Sequence, residues 1–251
     1  MGFYDLDKEA RTKLVNKIEG DVFDGIKTGK INRINNYAAD KDTYIRKTVY
    51  QAIGKLYRSE KSLRIKILAM LEQLYENDDA KIRQTMAYAL GEIGKSDADS
   101  ILDMLEKALH DKHHKVRNAV IGSLKQMGEK NPKPTLAFAE RVINHNDPKV
   151  RREIVHGIEL RGRTHPQDVL PLLKKVQHDK SKLVNDTIIH VIGQISYKKG
   201  CLEKIVAELR TWDNHELVRK ALAEIIEVHE SYAKFSALTA TEAEDYIREK
   251  F

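Results

Sequence analysis

The amino-acid sequence predicts an all-α protein, a right-handed α-solenoid of about six stacked helix pairs. Three observations lead to this fold class. The chain has 251 residues, 41% of them hydrophobic, which is enough to bury a core. Only 13 residues are glycine, 5 are proline and 6% are aromatic, which argues against an all-β chain with many tight turns. A short pattern also recurs at a period near 34 residues, as in proteins built from stacked repeats.

The recurring pattern is a β-branched residue followed by a polar one. It occurs at Ile45-Arg46, Ile82-Arg83, Val116-Arg117, Val150-Arg151, Val184-Asn185 and Val218-Arg219. The first members of these pairs are 37, 34, 34, 34 and 34 residues apart. Five positions before them lie Asp40, Asn77, Asp111, His145, Asp179 and Asp213. A spacing this regular indicates one structural unit repeated along the chain.

Within each repeat the pattern predicts a helix, a short polar turn and a second helix. In the fourth repeat Pro148 follows the turn and is placed to open the second helix at its first position. Val150, Ile154 and Ile158 then recur at intervals of four, so they lie on one face of that helix. A single pair cannot cover its own apolar face, whereas stacked pairs cover one another, and this predicts the solenoid.

The array is expected to form one domain over residues 1–251, because no linker or low-complexity stretch divides it. The six repeats are placed at about 21–60, 61–95, 96–131, 132–165, 166–199 and 200–231. Residues 1–20 are expected to form an N-terminal capping helix. A C-terminal helix is expected at 240–251, opened by a capping box at residues 241–244. The three additional residues of the first spacing are placed in the loop at 58–62.

The turn motif, Asp followed five positions later by Val-Arg, resembles the HEAT repeat family. In that family the Asp and Arg of neighbouring repeats usually pair into a ladder. The resemblance therefore implies a structural role for the arginine that follows each β-branched residue. These arginines are Arg46, Arg83, Arg117, Arg151 and Arg219.

Residues 145–222 show a narrower resemblance, to the DNA alkylation repair family. The resemblance lies in the order and spacing of Asp147-Pro148-Lys149-Val150-Arg151-Arg152, Gly157, Arg161, Arg163, Val169-Leu170-Pro171-Leu172-Leu173, Asp179-x-Ser181-x-x-Val184, Ile195-Ser196, Leu209-x-x-Trp212 and Leu217-Val218-Arg219. This family comprises HEAT-like glycosylases of the AlkC and AlkD type and their non-catalytic paralogues. What the resemblance implies for this chain is a HEAT-like fold and DNA binding.

The chain also departs from that family at functional positions. Asn185-Asp186 stand where family members often carry two arginines, and His190-Val191 align with an Asn-His pair. The glycosylases surround an acidic residue with tryptophans in the middle repeats, whereas the single tryptophan here is Trp212 in the last repeat. Without an aromatic cage an alkylated base has little to hold it. A non-catalytic relative is therefore expected.

Second helices of HEAT repeats line the concave face, where solenoids bind. Counted from each β-branched residue, position +2 is Lys47, Gln84, Asn118, Arg152, Asp186 and Lys220, and position +6 is Gln51, Tyr88, Gly122, His156, His190 and Glu224. On a helix these two positions are neighbours that point away from the buried stripe. The concave face is thus expected to be polar and mildly basic.

The candidate ligand-binding residues come from this face and from the loop that follows it. For phosphate contact they are Arg151, Arg152, Arg161, Arg163, Lys47 and Lys220, since Arg and Lys supply most contacts to a DNA backbone. His156 and His190 occupy equivalent positions of adjacent repeats, and Tyr88 offers a ring for stacking. At least half of the tyrosines Tyr50, Tyr57, Tyr88 and Tyr197 are expected to pack between helices instead. The alternative for the arginines is a non-binding role on a solvated face, where Glu153 and Glu159 balance their positive charge.

No cofactor, metal site or catalytic residue is predicted. His156 and His190 can share a metal ion, and Glu224 occupies the same +6 position in the next repeat. These residues alone do not make a recognisable zinc ligand set. Cys201 is the single cysteine, which excludes an internal disulfide and a Cys-rich zinc site. Whether the chain is an enzyme is left open by the sequence, with a non-enzyme favoured.

The favoured function is a non-catalytic HEAT-repeat protein that binds DNA along its concave face, in keeping with a net charge of +6. The alternative is a protein-interaction scaffold that takes a helix or an extended peptide in the same groove, and a third hypothesis is a DNA N-glycosylase for alkylated bases. DNA binding predicts a continuous positive stripe, whereas a scaffold predicts both signs of charge and an exposed apolar patch. The polar N-terminus and the lack of a long apolar run lead us to expect a soluble, cytoplasmic protein.

Overall fold

The computed structural model describes residues 2–251, and these residues form α-helices joined by short turns, with no strand among them. The all-α prediction is therefore confirmed. The chain divides into two compact units. The first ends at Asn131 and the second spans Pro132–Phe251. They are called unit 1 and unit 2 below.

Unit 1 contains α1 (Lys8–Thr28), α2 (Asn32–Ala38), α3 (Thr43–Ser59), α4 (Arg64–Tyr75), α5 (Ala80–Gly94), α6 (Leu102–Leu109) and α7 (His114–Lys130). Helices α1, α3, α5 and α7 pack in sequence as one layer, each against the next. Helices α2, α4 and α6 each pack against the long helix that follows them in the chain. The result is the predicted arrangement of stacked pairs.

Unit 2 contains α8 (Pro132–Val142), α9 (Pro148–Gly157), α10 (Glu159–Gly162), α11 (Pro166–Lys175), α12 (Lys182–Ser196), α13 (Leu202–Leu209), α14 (His215–Ser231) and α15 (Ala240–Lys250). Helices α9, α12 and α14 form one layer, α8, α11 and α13 the other, and α15 packs on α14 and α13. The predicted stripe is buried: Val150, Ile154 and Ile158 are each at most 1% exposed.

In the first five repeats, the residue five positions before the β-branched residue closes the turn between the two helices. Its side chain accepts a hydrogen bond from the backbone N–H two residues later. This bond is made by Asp40, Asn77, Asp111, His145 and Asp179, at 2.7 to 3.0 Å. Short polar side chains are favoured at such turns because they replace a backbone acceptor. The column of mainly acidic residues seen in the sequence is therefore a set of turn-forming residues.

In the first four repeats, the arginine after the β-branched residue binds the same turn from the other side. Arg83 Nη1 donates to the carbonyl of Asn77 at 2.8 Å, and Arg151 Nη1 to that of His145 at 2.7 Å. In the fifth repeat Asn185 Nδ2 makes the equivalent bond to the carbonyl of Asp179 at 2.9 Å. Arg83 and Arg151 also reach the turn aspartate of the next repeat, Asp111 and Asp179 respectively. These pairs form the expected ladder at these two positions.

The last two repeats of unit 2 are joined by amides instead. Gln177 Oε1 accepts hydrogen bonds from the backbone N–H groups of Asp213 and Asn214, at 3.2 and 3.1 Å. The Asn214 side chain in turn donates to the carbonyl of Gln177 at 2.5 Å. Beside these amide contacts, His178 Nε2 lies 2.9 Å from Asp213 Oδ1.

The ends of the chain differ from the sequence prediction in two respects. Helix α1 spans Lys8–Thr28 and so crosses the expected boundary at residue 20; it ends at Gly29, whose φ of 77° is readily adopted only by glycine. The capping box of α15 is formed by Thr239 and Glu242 rather than by residues 241–244.

Between α3 and α4, Lys61–Leu63 form a short 3₁₀ turn where the three additional residues were placed. Within residues 2–251 no helix has the length and apolar character needed to cross a bilayer.

Candidate functional site

The candidate site lies on the layers of second helices, α3, α5 and α7 in unit 1 and α9, α12 and α14 in unit 2. The twelve residues at positions +2 and +6 all lie on these helices, and none of them is buried. The sequence therefore located the accessible side chains of this layer. What each side chain contacts decides whether a ligand can use it.

In unit 1 a cavity of about 300 Å³ opens between these helices. Lys47, Tyr50 and Gln51 of α3 line it together with Tyr88 of α5 and Gln126 of α7. The two tyrosine rings lie 5.1 Å apart between centroids and are tilted by 31°. We call this the tyrosine groove. It combines an exposed ammonium group, two aromatic rings and two amides in one depression.

The tyrosines of the groove keep their protons over the whole physiological range. Burial, followed by the proximity of Tyr88 and Glu92, raises the pKa of Tyr50 to about 12. Burial also raises the pKa of Tyr88. Both phenols therefore remain neutral hydrogen-bond donors. The other two candidate tyrosines, Tyr57 and Tyr197, are 2% and 6% exposed and pack in the core.

In unit 2, three of the predicted phosphate-binding arginines are held by carboxylates of the same unit. Arg151 donates two hydrogen bonds to Asp179, and Arg161 donates two to Asp168 at 2.8 and 2.6 Å. Arg163 donates to Glu159 at 2.6 Å and to Gln194 at 2.9 Å. Their guanidinium groups are thus largely committed to holding helices together. Arg152 is half-buried on α9, whereas Lys220 is exposed and pairs with Glu216 at 2.6 Å.

The alternative in which Glu153 and Glu159 balance the positive charge on a solvated face is wrong for these two carboxylates. Each is 2% exposed. A buried carboxylate needs hydrogen bonds or a nearby cation, because desolvation disfavours its charge. For Glu159 the partner is Arg163, so this arginine is the counter-ion of a buried acid.

Glu159 also brings the two predicted histidines together. His156 Nε2 lies 3.1 Å from Glu159 Oε2, and His190 Nε2 lies 3.9 Å from the same oxygen. The imidazole rings stand edge to face with centroids 5.7 Å apart. His190 Nδ1 is 3.8 Å from Glu224 Oε1 on α14. We call His156, Glu159 and His190 the His-Glu-His cluster.

Sequence reasoning missed Glu159 as a site residue, although a signal was present. It stands nine positions after Val150, and the equivalent position is glycine in three other repeats, namely Gly54, Gly91 and Gly193. A Cβ on these glycines would lie only 2.4 to 2.5 Å from a side-chain atom of the next second helix. A long acidic side chain at such a crowded position is accommodated where the helix is interrupted, between α9 and α10 at Ile158.

Comparison with known proteins identifies the repeat. Residues 67–139 match the family model for HEAT repeats. The resemblance to HEAT repeats is confirmed. These residues cover α5, α6 and α7 with parts of α4 and α8, so the matched region contains the Asn77 and Asp111 turns and the Arg83–Asp111 pair. No curated protein sequence matches the chain significantly.

Two solved structures have a fold similar to this chain. AlkD2 from Streptococcus mutans has a TM-score of 0.57 at 15% identity, over 81% of this chain and 97% of that chain. The smu.31 protein from Streptococcus mutans UA159 has a TM-score of 0.54 at 16% identity, over 81% of this chain and 97% of that chain. The fold is therefore a HEAT-repeat fold that resembles AlkD2, as the sequence resemblance implied. At this identity the likeness concerns the fold alone.

Proposed function

We propose that this chain is a non-catalytic HEAT-repeat binding protein that binds DNA along its layers of second helices. The observation that carries the proposal is the tyrosine groove of unit 1. Lys47 supplies a cation for a phosphate, Tyr50 and Tyr88 supply ring faces for a base, and Gln51 and Gln126 supply amides for hydrogen bonds. The cavity volume of about 300 Å³ suits an unpaired nucleotide better than a stacked base pair. Branched or frayed DNA is thus the favoured ligand.

Unit 2 adds cations on the same kind of surface. Lys149 and Arg152 lie in the first turn and a half of α9, and Lys220 lies on α14. Arg151, Arg161 and Arg163 support this surface by fixing the helices. Of the predicted residues, Lys47, Arg152 and Lys220 are proposed for phosphate contact, with Tyr88 for stacking.

Fluorescence anisotropy tests the proposal with a labelled duplex of about 25 base pairs and a branched DNA, each at about 50 and 200 mM salt. We expect tighter binding of the branched DNA and a steep loss of affinity at the higher salt, because bound lysines release counterions from the phosphates. Lys47→Glu and Arg152→Glu are expected to weaken binding of both DNAs.

The matched control is Lys66→Glu, because Lys66 is also an exposed lysine of unit 1 but lies on α4 in the other layer. It changes the net charge equally and is expected to reduce affinity far less. Absence of binding at the lower salt contradicts the proposal. An equal loss from Lys66→Glu and Lys47→Glu also contradicts it, since the layer of second helices would then not be the binding surface.

The alternative function is a scaffold for a peptide or protein. The internal pairing of three arginines favours it, and so does the alternation of charge at the exposed pairs Lys182–Asp186 and Lys220–Glu216. A peptide ligand would meet both signs of charge on this surface. The third hypothesis, an N-glycosylase for alkylated bases, has less support, because Trp212 is 3% exposed and presents no open ring face. The cytoplasmic location remains a prediction from the sequence.

A further inference from the structure

We propose that the His-Glu-His cluster of unit 2 is a binding site for a divalent transition-metal ion of the zinc type. His156 Nε2, Glu159 Oε2 and His190 Nε2 are the ligand atoms. The cluster is defined by geometry: one ligand atom from each of the three residues lies within 4.8 Å of the others. The proposal does not depend on DNA binding, since none of these three residues lines the tyrosine groove.

The carboxylate is positioned before any ion arrives. Glu159 is 2% exposed, and its Oε1 atom accepts a hydrogen bond from Arg163 at 2.6 Å. Arg163 is itself held by Gln194 of α12 at 2.9 Å. Oε1 is therefore occupied, and Oε2 faces the two imidazoles. A ligand oxygen fixed by a hydrogen bond to its partner oxygen is a recurrent arrangement around protein-bound metals.

The imidazoles present their Nε2 atoms to this oxygen from two helices. His156 comes from α9 and His190 from α12. Glu224 on α14 lies 3.8 Å from His190 Nδ1, a separation longer than a hydrogen bond. It therefore adds a nearby negative charge, which favours a cation at this place. The cluster thus supplies three ligands, with a fourth carboxylate close to it.

The distances suit zinc after a small side-chain adjustment. Ligand atoms around a tetrahedral zinc ion lie about 3.3 Å apart, given metal–ligand distances of about 2.0 Å. The His156–Glu159 separation is 3.1 Å and the His190–Glu159 separation is 3.9 Å. The three ligand atoms lie within 4.8 Å of one another, so the imidazoles must close in on a bound ion. The His190 side chain is 45% exposed, which leaves it room to move and keeps the site open to solvent.

The donor set selects the class of ion. Two imidazoles and one carboxylate suit zinc and its neighbours, whereas magnesium and calcium prefer oxygen ligands alone. Three protein ligands leave one tetrahedral position for water or for a ligand atom. An ion at this place would add two positive charges to a layer where Arg151, Arg161 and Arg163 are already neutralised by carboxylates.

Titration of the purified protein with Zn²⁺ against a chromophoric chelator, after EDTA treatment and dialysis, measures the site. We expect one Zn²⁺ per chain, and we expect Co²⁺ to give visible d–d absorption of a four-coordinate site. His156→Asn and His190→Asn should each weaken binding by at least about tenfold. Glu159→Gln should weaken it also, but this variant alters a buried ion pair, so circular dichroism must first show that it folds.

The matched control is His215→Asn, an exposed histidine of the same unit at the first position of α14. It should leave Zn²⁺ affinity unchanged. Two results would overturn the proposal: no stoichiometric binding to the parent protein, or binding that survives both His156→Asn and His190→Asn. In either case the cluster is a hydrogen-bonded support for the buried Glu159 only.

Discussion

Arg151 and Asp179 are joined by two parallel hydrogen bonds, from Nε to Oδ2 at 2.5 Å and from Nη2 to Oδ1 at 2.8 Å, across 28 positions of the chain. The same guanidinium also donates to the carbonyls of His145 and Asn146. One side chain thus fixes the turn of its own repeat and the turn of the next. This arginine is a structural element, which is the role that the HEAT resemblance implied for it.

We predict that Arg151→Met lowers the free energy of unfolding by about 3 kcal/mol, because it leaves the largely buried Asp179 without its counter-ion. Urea denaturation followed by circular dichroism measures the change. Lys182→Met is the control, since Lys182 forms an ion pair with Asp186 in which both side chains are more than half exposed. It should change stability by less than about 0.5 kcal/mol. Equal stability of Arg151→Met and the parent protein would contradict the structural role.

Acid should weaken the ladder. Burial acts to raise the pKa of Asp179, but the hydrogen bonds from Arg151 and from the backbone of Ser181 outweigh it, so this pKa lies below its usual value. The pKa of Asp111 is lowered in the same way, with Arg83 as the principal donor against the effect of burial. A carboxyl whose pKa is lowered on folding stabilises the protein above its unfolded pKa of about 4, and this contribution is lost as the pH falls through the folded value.

Thermal unfolding between neutral pH and about pH 3 measures this loss. Asp179→Asn should lower the Tm at neutral pH and make the fall of Tm on acidification shallower. Asp186→Asn removes an exposed carboxylate of the same helix pair and should leave the slope unchanged. A parent protein whose Tm does not fall faster than that of Asp179→Asn would show that the ladder carboxylate does not contribute.

Close contact between second helices predicts opposite effects for two glycines. A Cβ at Gly91 would lie 2.4 Å from Ser123 Oγ and 2.8 Å from Ser123 Cα, so Gly91→Ala requires α5 and α7 to separate. We expect a loss of about 1–3 kcal/mol. At Gly20 in α1 no described atom lies within 4 Å of the added Cβ, and Gly20→Ala should stabilise by roughly 0.5–1 kcal/mol. The urea midpoints of the two variants, compared with that of the parent protein, measure both effects. A Gly91→Ala variant more stable than the parent would refute the close contact between α5 and α7.

Cys201 is expected to react slowly with thiol reagents in the folded protein. It is 3% exposed, and burial raises the pKa of its thiol; Lys204 lowers this pKa by a smaller amount, and Glu203 raises it further. Little thiolate is therefore present near pH 8, and the reagent has no access to it. Ellman's reagent should titrate one thiol rapidly in urea and only slowly in buffer. Rapid reaction in buffer at the rate of a free cysteine would contradict the burial of this residue.

Much of the fold was predictable because its repeat is recorded in residue types. The period located the second helices, and the β-branched residues such as Val184 and Ile188 are fully buried as expected. Spacing could not reveal where α1 ends, because Gly20 is tolerated inside the helix and the terminating residue is Gly29. Helix propensities differ by less than the packing energies that decide such boundaries.

The site was less predictable, because charge alone does not show what a side chain contacts. Arg163 was expected to contact a phosphate, yet in the structure it serves as the counter-ion of a buried acid. Glu159 looked like one of many surface acids; its repeat position hinted at close packing, and the contact of α10 with α12 shows that it is enclosed. Long-range contacts of this kind depend on how the repeats stack, which no local pattern specifies.

The short 3₁₀ turn at Lys61–Leu63 shows where the array accepts extra chain. Arg83 and Arg151 each reach an aspartate 28 residues ahead, so the length between these partners is fixed by the ladder. The three additional residues lie instead after Arg46, where the corresponding turn residue is the uncharged Asn77. A protein engineer would therefore insert a tag or a fused domain at residues 60–62, which are exposed, and leave the later loops at their natural length.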